Sequence, residues 1–255
     1  MVVTQDANNR RLYARDLVRH YARTSQLNAP EKAVLDRFAF DHASMLELGC
    51  GAGRFTSHVE RRASRFVGVD ISPHMVRHCR KRFPTSEFVE RDMRDLAMHA
   101  DGGFDAVFAV SNVLDCVDHW DRIQILHSLR RVIAPGGLFV FSSHNRAWTE
   151  LGAKPELELT LHPITLARRL VQFGRSRIRQ ALARRLEQHT NEFAIVTDSG
   201  HEYSLLHYYI TRAMQAEQLA DHGFTLLETF AMSGDVLGDR EDRESPSLMY
   251  VARRR

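Results

Sequence analysis

The sequence predicts an α/β protein built on a doubly wound, mainly parallel sheet of seven strands, with a helix and a hairpin inserted as a cap. Between residues 44 and 145, short apolar segments alternate with helical segments, and the short connections between them favour parallel strands. The first apolar segment runs into a cluster of three glycines, which is typical of a buried strand that turns tightly into a helix. After residue 145 this alternation stops, and the last two strands are expected at 224–232 and 248–252.

The composition is that of a globular protein with a full hydrophobic core. The 255 residues are 44% hydrophobic and 26% charged, and a net charge of +3 gives no general attraction to nucleic acid or to a membrane surface. The three cysteines, Cys50, Cys79 and Cys116, are scattered, which argues against a disulfide framework and for a reducing compartment. The N-terminus lacks the apolar segment of a signal peptide, and no apolar run is long enough to span a membrane. We therefore expect a cytoplasmic protein with no membrane segment.

The individual elements follow from apolar periodicity and from capping residues. Residues 10–40 are expected to be helical with a break at 28–30, and a structural role for Tyr13 and Tyr21 is favoured over a role in closing a ligand pocket. A serine–proline pair at 72–73 supplies an N-cap and a first helical residue. The expected core strands are 44–48, 65–69, 86–90, 104–110 and 138–142, and the expected helices are 54–62, 74–82 and 119–133, the last of them stopped by 135–137.

Acidic residues and glycines lie where the first two expected strands end. Glu47 is near the end of the first strand and is followed by Gly49, Gly51 and Gly53, while Asp70 ends the second strand. One helix-length segment separates the two strand ends, so they should lie side by side at the carboxyl edge of the sheet, where open α/β sheets bind ligands. Glycine lets the backbone turn sharply and lets a ligand lie against it without a Cβ in the way.

The spacing of these glycines does not fit a dinucleotide fingerprint. The pattern G-x-G-x-x-G needs a third glycine at Arg54 if it is counted from Gly49, or at Thr56 if it is counted from Gly51. The pattern present, E-x-G-x-G-x-G over 47–53, resembles motif I of the class I S-adenosylmethionine (SAM)-dependent methyltransferases. The order of the segments over 44–145, including RVIAPGGLFVFS, is also similar to that family and implies its seven-stranded Rossmann-like sheet.

This resemblance implies which residues hold SAM. Glu47 would face the ammonium group of the cofactor, and Asp70 would accept hydrogen bonds from the two ribose hydroxyls. Asp92, just past the third strand, would accept a hydrogen bond from the adenine amine, and Met93 would pack on the adenine ring. The remaining residues expected at the cofactor are Gly49, Gly51, Gly53, Arg54, Ile71 and Ser111.

Three further segments look like signatures of a narrower bacterial group of small-molecule methyltransferases. They are VSNVLDCVDHWDR, FSSHN and LLHYYI, and the group implies no single substrate. The sequence after the fourth strand reads SNVLD, so it lacks the acid or asparagine, the two prolines and the aromatic residue of enzymes that methylate base amines. Methylation of exocyclic amines in nucleic acid is therefore disfavoured.

Methyl transfer from a sulfonium needs in-line approach, exclusion of water and, when the nucleophile carries a proton, a base. Candidate catalytic residues lie just past the fourth and fifth strands and on the expected hairpin. His144 is the first choice because it ends the fifth strand and an imidazole titrates near neutral pH. Asp115 could orient an amine or cap the following helix, and Asn112 and Asn145 could position an acceptor. The other catalytic candidates are His207 and Tyr208.

Residues 146–210 are expected to form the cap, with no strand before residue 191. The stretch 164–186 is an arginine-rich helix, which we interpret as a solvated surface because no aromatic residues alternate with the arginines as nucleic-acid stacking would require. Segments 192–197 and 203–210 predict an antiparallel hairpin, one face of which could wall the acceptor pocket. The other expected parts are an N-terminal helical lid at 1–43, the SAM-binding core at 44–145 and the completion of the sheet at 211–255.

The sequence therefore predicts a SAM-dependent methyltransferase that acts on the oxygen or nitrogen of a small metabolite. Two alternatives stay open: an RNA-modifying methyltransferase that uses the basic helix from Arg168 to Arg185, and a SAM-binding protein without methyl transfer. No metal is expected, since His74 and His78 lie four residues apart on a helix without a third ligand. A homodimer is also left open.

Overall fold

The computed structural model describes residues 25–152, 156–157, 159–198, 203 and 205–255. The part of the expected N-terminal helix before residue 25, which includes Tyr13 and Tyr21, lies outside the described residues. Residues 199–201 of the expected hairpin turn also lie outside them.

The first part of the described chain alternates strands and helices as expected. Its elements are α1 (Ala29–Arg37), β1 (Ser44–Leu48), α2 (Thr56–Val59), β2 (Arg65–Asp70), α3 (Pro73–Arg82), β3 (Glu87–Glu90), β4 (Phe104–Ala109), α4 (His119–Val132) and β5 (Ile133–Asn145). The second part begins with a long helix. Its elements are α5 (Pro163–Ala183), β6 (Gln188–His189), β7 (Phe193–Thr197), β8 (Leu206–Ile210), α6 (Arg212–Asp221), β9 (Phe224–Phe230) and β10 (Ser247–Arg254).

Seven of these strands form the predicted doubly wound sheet in the order β3-β2-β1-β4-β5-β10-β9. The first five are parallel, and β10 runs antiparallel to both β5 and β9. The strand order reverses between β1 and β4, which makes the carboxyl edge at that point the usual ligand site of such a sheet. Glu47 pairs with Gly68 and Leu48 with Val69, so the ends of β1 and β2 are level, as predicted.

The central strands are buried on both faces because helices cover the sheet on each side. Met45 belongs to a core cluster with side chains of α1, α2 and α3, whereas its neighbour Leu46 belongs to a cluster with side chains of α4 and α6. This switch between adjacent residues is the two-residue period of a strand, and it explains why β1 and β4 are nearly all apolar. Among the described residues, no helix is long and apolar enough to cross a membrane.

The predicted hairpin is formed by β7 and β8, and it joins the same sheet at the end of β5. His144 and Asn145 pair in parallel with Tyr209 and Ile210, while Ser247 of β10 pairs with His144 from the other side. Because β10 occupies that edge of β5, β8 must lie on the edge shared with β4, beyond the point where β4 ends. The hairpin therefore stands over the carboxyl edge of the sheet, next to the expected cofactor site.

Three sequence-based expectations are wrong in detail. The two-residue strand β6 lies in a stretch where no strand was expected, and it forms because Gln188 pairs with Ile195 of β7. Helix α4 ends at Val132, and the residues 135–137 that were expected to stop it lie within β5. The cap of α4 is Asp118, whose side chain accepts a hydrogen bond from the backbone of residue 121, and not Asp115.

Candidate active site

The glycine loop after β1 adopts a backbone that favours glycine at three positions. Gly49, Gly51 and Gly53 have φ values of 64°, 53° and 77°, a region that other residues rarely enter. A Cβ added at Gly49 would lie 2.3 Å from a methyl carbon of Val113, and one at Gly53 would lie 2.5 Å from the ring of Phe83. The loop is therefore fixed both by its own backbone and by the side chains packed against it.

Asp70 holds this loop in place from the end of β2. One carboxylate oxygen accepts a hydrogen bond from the backbone of Gly51, and the other accepts one from the backbone of Ser72, each at 2.8 Å. Burial raises the pKa of Asp70, and the two backbone hydrogen bonds offset only part of that rise. The side chain sits at the rim of the sheet, where it links the glycine loop to the start of α3.

Glu47 is buried beneath the glycine loop, with 1% of its surface exposed. Its carboxyl accepts a hydrogen bond from the Thr56 hydroxyl at 2.6 Å. Burial raises the pKa of Glu47 to about 8, against the opposing effects of the Thr56 hydrogen bond and the Arg54 charge. In the absence of a cationic ligand, the Glu47 carboxyl is therefore mostly protonated at neutral pH.

Arg54 connects three parts of the candidate site. Its guanidinium binds the buried carboxylate of Glu31 on α1 through two hydrogen bonds of 2.5 Å, and it donates to the Ser111 hydroxyl at 2.9 Å. Ser111 and Asn112, directly after β4, both have positive φ values, 58° and 56°. Two successive non-glycine residues in this region store backbone strain, a feature that is common at functional sites.

Asp92 lies close to Asp70 because Glu90, two residues earlier, pairs with Asp70 between β3 and β2. The Asp92 carboxylate is already bound by the guanidinium of Arg94, with one contact of 2.9 Å and one of 2.5 Å. Arg94 also donates to Asp121 at 2.6 Å, so the acid expected at adenine belongs to an ion-pair network.

The side chains next to these two acids differ in exposure. Met93, after Asp92, packs against the core on the α4 side of the sheet. Ile71, after Asp70, is 44% exposed. An exposed branched side chain beside the ribose-binding candidate is available to contact a ligand lying along the edge.

A second group of polar residues is centred on the buried carboxylate of Asp115. One of its oxygens accepts hydrogen bonds from the backbone and the Nδ1 of His144 at 2.6 and 2.7 Å. The other accepts from the Ser143 hydroxyl and the Arg122 guanidinium, each at 2.7 Å. Burial opposes ionisation of Asp115, but the His144 hydrogen bond and the Arg122 charge outweigh it and lower its pKa. Because a carboxylate accepts, Nδ1 of His144 is the donor in this contact, and Nε2 is the ring nitrogen that faces the other groups.

The Nε2 of His144 faces Asp198, His207 and Tyr209, and we call these four residues the His144 cluster. This Nε2 lies 3.9 Å from Asp198 Oδ2 and 3.2 Å from the side-chain amide of Asn112. Asp198 accepts hydrogen bonds from His207 Nδ1 and from the Tyr209 hydroxyl, both at 2.7 Å. The imidazole rings of His144 and His207 stack with centroids 4.7 Å apart. Burial opposes ionisation of Asp198, but the hydrogen bonds from His207 and Tyr209, together with the charges of His207 and His144, lower its pKa to about 2.

Of the four catalytic candidates, His144 and His207 belong to this cluster and Asp115 binds His144, whereas Tyr208 faces away from it. It points to the opposite face of β8, where its hydroxyl contacts His119 at 3.0 Å and its ring lies under the Arg122 guanidinium at 4.6 Å. Burial raises the pKa of Tyr208 to about 12. Tyr208 is therefore suited to packing behind Arg122 and not to proton transfer at His144.

Sequence reasoning missed Asp198 as a member of the His144 cluster, because Asp198 was expected only as the first residue of the hairpin turn. The two-residue period of the expected strand 203–210 predicts that Tyr209 and His207 share one face, and the structure places both in the cluster. No local signal places Asp198 against His144.

A cavity of about 590 Å³ adjoins the same face of the hairpin. Ala194 and Val196 line it, and they are the cross-strand partners of Tyr209 and His207. Cross-strand partners project to the same side of a sheet, so the cavity lies on the side of the His144 cluster. The other lining residues are Arg146, Leu151, Gly152, Gln180, Arg184, Glu187, His189 and Thr197.

Comparisons with known proteins find methyltransferases. Residues 45–137 match the family model described as a methyltransferase domain. A probable SAM-dependent methyltransferase of Mycolicibacterium smegmatis is 31% identical over 103 residues, or 40% of this chain and 38% of that protein. Trans-aconitate 2-methyltransferase of Escherichia coli is 31% identical over 113 residues, or 43% of each chain. The matched region thus spans well under half the length of these curated relatives.

Solved structures match nearly the whole fold at low sequence identity. The Burkholderia thailandensis 1,6-didemethyltoxoflavin-N1-methyltransferase superposes with a TM-score of 0.62 at 15% identity, covering 98% of this chain and 87% of that one. An amino pentose methyltransferase from Micromonospora echinaspora gives a TM-score of 0.59 at 16% identity, covering 95% and 98%. The chain therefore carries a methyltransferase domain with the class I SAM-dependent fold, which confirms the resemblance seen in the sequence. SAM, the cofactor that the sequence predicted, is the cofactor of this family.

Proposed function

We propose that the protein transfers the methyl group of SAM to an oxygen or nitrogen of a small-molecule acceptor. The observation that carries the proposal is the strained segment after β4, which joins the two halves of the candidate site. Ser111 binds Arg54 beside the glycine loop at 2.9 Å, and its neighbour Asn112 contacts His144 Nε2 at 3.2 Å. A cofactor lying along the glycine loop would thus present its methyl group toward His144.

The cofactor half is supported by the chemistry of the strand-end acids. Asp70 keeps acceptor capacity on its carboxylate oxygens beyond its two backbone hydrogen bonds, which suits the paired ribose hydroxyls. Glu47, protonated when the site is empty, would ionise against the SAM ammonium group and gain a charge-assisted contact. Adenine would lie between Ile71 and Met93, with its amine directed to Asp92.

The acceptor half is supported by the pairing of Asp115 with His144. His144 Nε2 would take the proton of the acceptor as the methyl group is transferred, and the Asp115 anion would stabilise the imidazolium that forms. Other carboxylate–histidine pairs assign the same roles to the two groups. His207 would act indirectly, since it stacks on the His144 ring and binds Asp198.

A small-molecule acceptor is supported by the size of the cavity and by the relatives. A volume of about 590 Å³ is in the usual range for sites that enclose small ligands. The named relatives act on trans-aconitate, on 1,6-didemethyltoxoflavin and on an amino pentose. The arginine-rich helix α5 exposes Ile164, Val171 and Ile178 among its arginines, and these are not stacking platforms for RNA bases.

The test is to incubate the protein with methyl-labelled SAM and a metabolite extract, and to identify the labelled product by mass. We expect one labelled acceptor class, lost in His144→Ala and retained in His78→Ala, a control histidine on α3. Calorimetric titration should show that His144→Ala still binds SAM as tightly as the wild type. A protein that binds SAM but labels no acceptor and releases no S-adenosylhomocysteine would refute methyl transfer and leave a SAM-binding role.

A further inference from the structure

The structure brings together three potential metal ligands that the sequence keeps far apart. His144 ends β5, Asp198 follows β7, and His207 lies in β8. Asp198 Oδ2 lies 2.7 Å from His207 Nδ1 and 3.9 Å from His144 Nε2, and the three ligand atoms all lie within 4.8 Å of one another. We propose that these three residues bind one divalent transition-metal ion on the face of the hairpin that the cavity adjoins.

The ligand set has a recognisable chemistry. Two imidazoles and one carboxylate suit Zn²⁺ or Fe²⁺, whereas Mg²⁺ prefers oxygen ligands and water. Three protein ligands leave coordination positions open, as in catalytic sites, whereas structural zinc sites are closed by four. Nitrogen and oxygen ligands about 2.1 Å from a metal lie roughly 3.0–3.5 Å from each other, so the observed separations need adjustments of about an ångström to reach that geometry.

The supporting residues point to a built site. A histidine that binds a metal almost always donates its other ring nitrogen to a carboxylate or carbonyl group. His144 does so, because its Nδ1 lies 2.7 Å from Asp115, a side chain with no exposed surface. The Tyr209 hydroxyl gives Asp198 a comparable support at 2.7 Å. These contacts orient two of the three proposed ligands, and neither is needed to stack the two imidazole rings.

The sheet places the three ligands near one another. His144 is in register with Tyr209 of β8, which is two residues from His207. Val196 of β7, two residues before Asp198, is in register with His207. The three side chains are 14%, 10% and 8% exposed for His144, Asp198 and His207. A bound ion would thus be shielded from bulk water on most sides, and the cavity lies on the same face of the hairpin.

The metal site stands on geometry and does not rest on the proposed methyl transfer, but it would change how an acceptor is activated. An ion on His144 Nε2 prevents that atom from taking a proton. When bound, a divalent ion lowers the pKa of a coordinated hydroxyl and so favours the nucleophilic form of an oxygen acceptor.

The test is a binding titration on the full chain without an affinity tag. The protein is stripped with a chelator, dialysed, and titrated with Zn²⁺ by calorimetry, with Co²⁺ absorption spectra to report coordination and with Mg²⁺ as the oxygen-preferring comparison. We expect one Zn²⁺ per chain, visible Co²⁺ bands and no matching Mg²⁺ site. His207→Gln and Asp198→Asn should abolish stoichiometric binding, while His78→Ala should leave it unchanged.

A second variant tests the proposal independently if the ligand variants fold poorly. Tyr209→Phe removes one hydroxyl from the support of Asp198 and should weaken Zn²⁺ binding by about tenfold or more, with an unchanged circular dichroism spectrum. Binding below one ion per chain, or equal binding by the wild type and His207→Gln, would overturn the proposal. Labelled product from the stripped protein at the full rate would refute a role for the ion in the reaction while leaving methyl transfer intact.

Discussion

The buried carboxyl of Glu47 makes a prediction that can be measured without knowing the acceptor. Its pKa is about 8 in the folded chain against an ordinary value of 4.5. Because the folded state holds this proton more tightly than the unfolded state, its contribution to stability is fully present below pH 4.5 and is lost as the pH rises toward 8. At about 1.4 kcal/mol per pH unit, the loss between pH 5 and pH 7 is of order 3 kcal/mol.

The matched perturbation is Glu47→Gln, which keeps the shape of the side chain and an acceptor for the Thr56 hydroxyl but has no proton to lose. We expect the free energy of unfolding of the wild type, measured by urea denaturation, to fall relative to the variant by that amount between pH 5 and pH 7. Using the difference between the two proteins cancels the titration of the other groups. Parallel pH profiles would refute the burial argument.

The same residue links stability to cofactor binding. If the SAM ammonium group lies against Glu47, binding at pH 7 should release close to one proton, because the carboxyl must ionise to make the contact. Calorimetric titrations in two buffers of different ionisation enthalpy measure this number directly, and Glu47→Gln should release none. Stability that falls with pH as expected, together with SAM binding that releases no proton, would leave Glu47 buried as described but would refute its proposed contact with SAM.

Four further variants test the rest of the site. Asp70→Asn should weaken SAM binding at least about tenfold in a calorimetric titration, because one acceptor oxygen is lost, and equal affinity would contradict the ribose placement. Gly53→Ala should cost about 1–3 kcal/mol in urea denaturation, since its Cβ would meet a phenylalanine ring; an unchanged midpoint would argue against this. Arg122→Met should cost about 3–5 kcal/mol by removing the guanidinium paired with the buried Asp115 carboxylate, and a smaller loss would show that the hydrogen bonds from His144 and Ser143 are enough to hold that charge. His144→Gln should lower the methyl-transfer rate by about 10²–10⁴-fold at constant SAM affinity, whereas a loss in affinity alone would assign it to binding.

The glycine loop and the acids beside it were predictable because their signals are local. A short apolar strand, glycines that need positive φ values and an acid at the next strand end all lie within 47–70. The structure brings these neighbouring segments into contact, because the Asp70 carboxylate binds the backbone of Gly51. Capping residues were equally local, and Thr211 caps α6 through its hydroxyl as the serine at position 72 caps α3.

The acceptor end was predictable only in part. His144 stood out because it ends a strand, and His207 because the hairpin was recognisable, but their contact through Asp198 was not. The three positions lie 54 and 9 residues apart in the chain (144, 198 and 207), so no helix or strand period relates them. The expectation of no metal rested on two histidines four residues apart without a third ligand and on the poor match of Asp115 and Asp118 to an acid pair near the fourth strand, so it considered only residues close together in the sequence.

The sequence by itself determined the doubly wound sheet, the position of the glycine loop and the resemblance to a methyltransferase domain, because each depends on residues that are neighbours in the chain. The tertiary structure decided which polar side chains meet above the sheet. That meeting depends on β8 pairing with the last two residues of β5 on the side of β4. Such a pairing is chosen by the packing of the whole cap, and a contiguous stretch of sequence does not encode it.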